Sequence, residues 1–343
     1  MRYRPLGRTG LSVSELALGA MTFGEGMPPI TKVDQTGADR LVGMALDAGV
    51  NLIDTADVYA DGRSEEILGR ALGPRRDEVL VATKCGFGPG GPTNDGGLSA
   101  LHVIRACEAS LRRLGADHID LYQIHKPDPA TPFDETARAL DDLVRRGLVR
   151  YVGFCNLWSW RAALAVSHQR QHGLATFASA QMYYSLLGRG LEAEFLPCID
   201  ELGAGVLVWS PLAAGYLSGK YRTPPDADHP DQGRRTTMGF PPVDEDLGAR
   251  VLAVVDEVAA AHGATPAQVA IAWLLSRRTV TSVIVGVSSE DQLRSNLGAA
   301  DLDLTDDEIA RLDEISDPAR HVPYWWPEIF EDPAYARRRL MRP

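Results

Sequence analysis

The chain has 343 residues, 45% hydrophobic and 24% charged, an ordinary globular balance with length enough for a large core. Its formal charge of -11 argues against a broad nucleic-acid or anionic-membrane surface and leaves room for a small basic pocket. The opening residues MRYRPLGRTG carry no apolar run, and no stretch approaches about 18 apolar residues, so neither a signal peptide nor a membrane span is expected. Four scattered cysteines, Cys85, Cys107, Cys155 and Cys198, lack zinc spacing and read as reduced, buried thiols of a cytoplasmic protein.

In chain order, RYRPLGRTGLSVSE (2–15) predicts a β-hairpin turning near Arg8, Thr9 and Gly10, suited to plugging a barrel mouth. Short apolar runs then alternate with longer helical patterns. The runs are ELALGAM (15–21), NLIDTA (51–56), VLVATK (79–84) and LYQIH (121–125), followed by RYVGFCN (150–156), FASAQMYY (177–184), GVLVWSP (205–211) and SVIVGVS (282–288). They lack strict polar alternation, as expected of parallel strands covered on both faces. Between them, RSEEILGRALGP predicts a helix with Ser64 as its cap, Glu65 and Glu66 in its first turn and Gly73-Pro74 as its stop. The next begins at a Ser99 cap and stops at Gly115; another carries acids at its start, Arg145 and Arg146 in its last turn and Gly147 as stop. TPAQVAIAWLLSRR opens on a Thr cap with Pro in the first helical position. Two segments break the rhythm: a Pro/Gly/Asp-rich loop at 222–243, followed by an inserted helix at 246–262, and an irregular aromatic tail at 318–343.

Eight strand–helix units predict an α/β fold of the (β/α)8 TIM-barrel type as a single domain over 1–343. An open doubly wound sheet is the alternative, and the lack of a Gly-x-Gly-x-x-Gly loop after the first strand weighs against it. Barrel sites form at the C-terminal strand ends. The polar residues there are Asp54 and Tyr59 after strand two, Lys84 at strand three, His125 at strand four, Asn156 at strand five, Gln181 and Tyr184 at strand six, and Trp209 and Ser210 at strand seven. Taken singly, Asp54 is a strand-end cap, Lys84 a snorkelling lysine, His125 a core histidine and Tyr59 a loop aromatic. Their joint arrival at one rim points instead to proton donation to a carbonyl oxygen. A phenol titrates near 10; a buried ammonium beside Tyr59 is expected to lower that value. Asp54 would hold Lys84 charged, and His125 would hydrogen-bond the substrate oxygen or share the proton. No HExxH or Cys/His cluster offers a metal site, which disfavours a metal-dependent hydrolase. The Gly/Ser loop WSPLAAGYLSGKY, with Lys220, suits a pyrophosphate, and GVSSEDQLRSN after strand eight opens a helix where barrels bind phosphate.

RPLGRTGLSVSELALGAMTFG, NLIDTADVYADGRSEEILGRAL, VATK, LYQIH, VGFCN, WSPLAAGYLSGKY and the Gln and Asn of GVSSEDQLRSN resemble, in order and over nearly the whole chain, the motifs of the aldo-keto reductases. The resemblance implies a barrel without a Rossmann domain and NADPH, or NADH, extended across the mouth. It assigns catalysis to Asp54, Tyr59, Lys84 and His125. It places the nicotinamide carboxamide near Asn156 and Gln181 and the ring against Trp209, with Thr22, Asp54 and Cys155 close by. The pyrophosphate would follow Ser210, Pro211, Leu212, Gly215, Ser218, Gly219 and Lys220, and the adenosine end Gly286, Ser288, Gln292 and Asn296.

Several positions depart from the family's habit. Cys155 replaces a serine and reads as a small packing residue, and Trp209 resembles the bacterial and potassium-channel β-subunit branch. Gly286 and Gln292 stand where many mammalian-type reductases carry a lysine and an arginine, and Ser295 replaces an acid. Arg234 or Arg235 on the long loop would supply a missing charge for the 2′-phosphate. Met21, Phe23, Tyr59, Phe87, His125 and Trp158, with Tyr324, Trp325 and Trp326 of the tail, are expected to line the substrate pocket, an aromatic wall for a bulky or ring-bearing carbonyl such as a sugar or polyketide ketone. The reading is a reversible NAD(P)H-dependent carbonyl reductase with a small-molecule substrate and no nucleic-acid or membrane partner, a homo-oligomer being compatible. The alternative is a slowly turning cofactor-binding regulatory subunit.

Overall fold

The computed structural model describes residues 1–25, 30–88, 93–222, 235 and 239–318. Strands β1 (Tyr3–Pro5) and β2 (Ser12–Ser14) pair antiparallel as the expected hairpin. Eight further strands follow: β3 (Leu16–Gly19), β4 (Leu52–Asp54), β5 (Leu80–Cys85), β6 (Ile119–Ile124), β7 (Val149–Cys155), β8 (Phe177–Tyr183), β9 (Gly205–Trp209) and β10 (Val280–Gly286). They close into one parallel barrel in chain order, with β10 returning to pair with β3. The sequence expectation of a (β/α)8 barrel is therefore met, strand for strand.

Helices α1 (Gln35–Asp47), α2 (Arg63–Leu72), α3 (Ala100–Leu114), α4 (Phe133–Arg145), α5 (Ser159–Gln171) and α6 (Phe195–Leu202) each lie between successive strands from β3 to β9. Two helices, α7 (Glu245–His262) and α8 (Pro266–Leu275), separate β9 from β10, and α9 (Glu290–Leu297) and α10 (Asp306–Ile315) follow it. The caps largely obey local chemistry. Ser99 accepts from His102 N, Thr265 forms a capping box with Gln268, and Gly115 ends α3 in the left-handed region. The exception is α2, whose cap is Gly62 at φ 87° and not Ser64. The Ser64 hydroxyl is buried and donates to Ala20 O at 2.7 Å, leaving Thr55 as donor to Ser64 Oγ at 2.8 Å. A tertiary partner took the hydroxyl that a local rule assigned to the helix end.

The barrel interior is built in layers, because alternate strand residues face inward. At the N-terminal end a ring of Ala17, Leu52, Ala82, Leu121, Ala178, Leu207 and Ile284 packs against Leu6 and Val13 of the hairpin. Arg4 fastens that plug, donating to Val280 O at 2.5 Å and to the buried Glu15 carboxylate at 3.0 Å. Two residues further along the strands the inward positions become polar: Asp54 after Leu52, Lys84 after Ala82, Gln123 after Leu121. The apolar ring forms the floor on which the polar layer stands. On β8 a bulge changes the parity, since the register passes from Val152 opposite Phe177 to Gly153 opposite Ser179. That extra residue makes Ser179 and Gln181 the inward pair.

Candidate active site

Lys84 organises the polar layer. It is fully buried, and its ammonium has three partners for its three protons: Asp54 Oδ1 at 2.5 Å, Thr55 O at 2.7 Å and the Tyr59 hydroxyl oxygen at 3.3 Å. Burial alone favours the neutral amine, yet the Asp54 carboxylate, with Tyr59, more than offsets it and holds Lys84 above the usual lysine range. Asp54 is itself oriented from across the barrel. Its Oδ2 accepts from Gln181 Nε2 at 2.7 Å and, more distantly, from Gln123 Nε2 at 3.5 Å, while Gln123 Oε1 accepts from Ser179 Oγ at 3.2 Å. Gln181, expected as a nucleotide contact, anchors the carboxylate in this structure.

Tyr59 reaches this layer from a turn of unusual backbone. Ala60, Asp61 and Gly62 have φ of 49°, 52° and 87°, three left-handed residues in succession after the tyrosine. Each non-glycine among them costs on the order of 1–2 kcal/mol. The sequence reading expected the neighbouring ammonium to depress the Tyr59 pKa. The reverse holds: burial raises it, and although Lys84 pulls it down, Asp54 behind the ammonium adds to the rise. Tyr59 is a protonated phenol across the neutral range.

His125 follows β6, its N–H donating to Cys85 O at 2.7 Å. Its ring stands edge-on to Tyr59 at 5.8 Å between centroids and to Phe87 at 4.7 Å. Burial, then the Lys84 and Lys126 charges, push its pKa well below the usual histidine value, so the ring is neutral. Its Nδ1 is buried with no hydrogen-bond partner among the described residues. A neutral imidazole holds one N–H and cannot share a second proton, which narrows its expected role to hydrogen bonding. The four residues predicted from the sequence stand together at one mouth.

The flanking positions sort into three groups. Trp209 donates from Nε1 to Asn156 Oδ1 at 3.0 Å, stacks on Phe240 at 5.7 Å and meets the Tyr183 ring tilted at 5.2 Å. Asn156, left-handed at φ 58°, also reaches His125 O at 3.4 Å. Cys155 is fully buried, and burial pushes its thiol up, so it is a packing residue as expected. After β9 the loop repeats the Tyr59 turn: Ser210 is left-handed at φ 54°, and Ala213, Ala214 and Gly215 follow at 48°, 56° and 88°. Ser210 Oγ accepts from Ala214 N at 2.9 Å and Ser218 Oγ donates to Gly215 O at 2.7 Å, with Pro211 buried and Leu212 and Gly219 half-buried. Lys220 is exposed and lies over the Tyr221 ring. Gly286, at the end of β10, is exposed; beyond it Asn296 is buried, and Gln292 Oε1 accepts from Ser288 N at 2.9 Å. Thr22 Oγ1 donates to Val287 O at 2.6 Å, tying the ends of β3 and β10.

Two residues expected at the mouth, Phe23 and Tyr184, are turned away from it. Phe23 is fully buried and bridges to Val33, so it presents no surface to a substrate. Tyr184 turns into the core, its hydroxyl on Glu192 at 2.6 Å, because the β8 bulge gives the mouth to Tyr183. Trp158 is 56% exposed and stacks on Trp160, and Phe87 is 37% exposed at the rim. Arg235 has its guanidinium on Pro241 O at 2.9 Å and Glu245 at 3.2 Å, over the Tyr216 ring. Arg234, Tyr324, Trp325 and Trp326 lie outside the described residues. Sequence reasoning missed Gln123, Tyr183 and Phe240. Gln123 alone had a local signal, the inward parity it shares with Asp54 and Lys84.

A closed parallel barrel with a buried Asp–Lys–Tyr chain and a neutral histidine at its C-terminal mouth defines a class, the barrel oxidoreductases without a Rossmann domain. The chain belongs to the aldo/keto reductase family, whose profile matches residues 15–317. It is 38% identical over 310 residues to a probable voltage-gated potassium channel subunit beta of Oryza sativa subsp. japonica, covering 88% of this chain and 92% of that one. It is 37% identical over 331 residues to the uncharacterized oxidoreductase YrpG of Bacillus subtilis, covering 91% and 94%. It is 34% identical over 348 residues to the aldo-keto reductase AMT2 of Alternaria alternata, covering 91% and 90%. Membership makes the chain an oxidoreductase of carbonyl compounds.

Proposed function

We propose that the protein reduces aldehydes or ketones with a reduced nicotinamide dinucleotide, and that Tyr59 gives the proton to the carbonyl oxygen. The observation that carries this reading is the Lys84 ammonium, fully buried and divided among Asp54, Thr55 O and Tyr59. An ammonium so placed is ready to stabilise the phenolate that Tyr59 becomes on losing its proton. The neutral His125 donates its one N–H toward the same oxygen. Asp54, Gln181 and Gln123 keep the ammonium from turning away.

The residues present fit a dinucleotide. Trp209 brings an indole ring to the mouth, Asn156 an amide hydrogen-bonded to it, and the left-handed loop from Ser210 to Gly219 the kind of backbone that makes anion-binding concavities. When bound, the nucleotide supplies the hydride. Asn156 and Gln181 would hold the carboxamide end, Ser210, Gly215, Ser218 and Lys220 the pyrophosphate, and Gly286, Ser288, Gln292 and Asn296 the adenosine end. Gly286 and Gln292 bring no cation to a 2′-phosphate and Arg235 is already engaged, which weakens a preference for NADPH and leaves NADH as an accepted cofactor beside it.

A panel of aldehydes and ketones with NADPH and with NADH, followed by loss of reduced-nicotinamide absorbance, tests the reading. Turnover with at least one carbonyl is expected, with Tyr59→Phe keeping nucleotide affinity and losing most of it. A Tyr59→Phe protein reducing at the parental rate would overturn the assignment. Steady multiple turnover also separates an enzyme from a regulatory subunit that holds its nucleotide.

A further inference from the structure

A second buried group of charges lies behind Tyr59 and takes no part in the chemistry above. Glu65, in the first turn of α2, is fully buried. Its Oε1 accepts from Thr83 Oγ1 at 2.5 Å and its Oε2 from Arg113 Nε at 2.6 Å. Thr83 immediately precedes Lys84 on β5. Arg113, near the end of α3, lies against Gly62: a Cβ there would fall 2.7 Å from Arg113 Cδ and 2.8 Å from its Nε. Gly62 closes the left-handed turn that Tyr59 opens. One carboxylate therefore holds both the strand of the ammonium and the side chain that packs beneath the turn of the phenol.

Asp57 stands on the same segment, two residues before Tyr59, with its N–H on Lys84 O at 3.1 Å. Its Oδ1 is buried without a hydrogen-bond partner among the described residues. The groups that face it are Glu65 on α2, Arg113 on α3, Lys84 and Cys85 on β5 and Tyr122 on β6. Burial, and then Glu65, raise its carboxyl to about 7, with Arg113 and Lys84 opposing.

We propose that Glu65 and Arg113 are positioning residues for proton transfer, a brace joining the Lys84 strand to the Tyr59 turn, and that Asp57 is the group through which pH reaches that brace. The proposal rests on Tyr59 being the proton donor. Two carboxylates face one guanidinium. While Asp57 is protonated, Glu65 has Arg113 to itself. Once ionised, Asp57 competes for Arg113, loosens its contact with Gly62 and adds negative charge near Lys84. Both effects make Tyr59 a poorer acid as pH rises through neutrality.

The test uses full-length protein labelled with 3-fluorotyrosine, the Tyr59 fluorine resonance being assigned by its loss in Tyr59→Phe. Arg113→Ala is expected to shift or broaden that resonance and to lower kcat roughly tenfold to hundredfold, with carbonyl KM changed by less than about threefold. Arg113→Lys restores most of both. Glu65→Gln, nearly isosteric, reproduces the Arg113→Ala effect in milder form and serves if the alanine variant does not fold. Between pH 6 and 8 the wild-type resonance moves and kcat falls, and Asp57→Asn removes both changes. A Tyr59 resonance unaltered in Arg113→Ala and Glu65→Gln, or a pH-dependent movement kept in Asp57→Asn, overturns the proposal. A wild type that reduces no carbonyl overturns the proton-donor reading instead, and the fluorine resonances still decide the brace.

Discussion

Two turns of this barrel adopt the same backbone and are held in it by different means. The turn after Tyr59 runs Ala60, Asp61, Gly62 at φ 49°, 52° and 87°; the turn after β9 runs Ala213, Ala214, Gly215 at 48°, 56° and 88°. The second is fastened by near neighbours in the chain: Ser210 accepts from Ala214 N, Ser218 donates to Gly215 O, and Tyr221 reaches Ala214 O. The first is braced from afar, by Arg113 of α3 under Gly62, Glu65 tied to Thr83 of β5, and Ala60 packed where a Cβ on Gly24 would fall. A loop that wraps a flexible ligand tolerates small displacements. A turn that carries the proposed proton donor does not, since a misplacement of about 1 Å costs on the order of a hundredfold in rate. The distant brace is what such a tolerance requires.

The largest break falls on the proton side. Tyr59→Phe leaves both turns intact and removes only the phenol, so carbonyl reduction should fall by about 10²–10⁴-fold while nucleotide binding, read by fluorescence quenching, stays put. Next comes Gly62→Ala. The new methyl meets Arg113 in a left-handed position, and we expect a loss of roughly 1–3 kcal/mol in denaturant midpoint analysis together with a fall in kcat. The matching change, Gly215→Ala, meets the flexible end of Lys220 instead, so it should weaken nucleotide affinity and leave kcat at saturation close to the parent. If the two alanine variants behave alike, the distinction between the turns is lost.

A smaller effect separates the turns by pH. The Asp57 carboxyl is raised from its ordinary 3.8 to about 7 in the folded protein. Its stability contribution is complete below the unfolded value and is lost as pH rises through the folded one. The wild type should therefore lose stability between about pH 4 and 7 relative to Asp57→Asn, and parallel melting curves over that range would count against it. Smallest of all, Ala60→Gly and Ala214→Gly each relieve a left-handed alanine, and each should change stability by less than about 1 kcal/mol.

The sequence by itself determined the barrel and which four side chains, Asp54, Tyr59, Lys84 and His125, meet at its mouth. Apolar runs at regular spacing, with caps and glycine stops between them, are local signals, and Asp54, Lys84 and Gln123 share an inward parity readable from strand period alone. Tertiary structure decided what depends on partners far along the chain. Ser64 was a sound cap by local rules until Ala20 O claimed its hydroxyl. Tyr184 and Tyr183 exchanged places because a bulge, two strand residues against one, leaves no mark in composition. The proton affinity of Tyr59 was misread for a related reason: the ammonium was legible, but the depth of burial and the carboxylate behind it were not. Glu65 and Arg113 are 48 residues apart, and only the packing of α2 on α3 brings them together beneath Tyr59. Chain order sets which side chains arrive at the mouth; desolvation and distance, which exist only after folding, set what each of them does there.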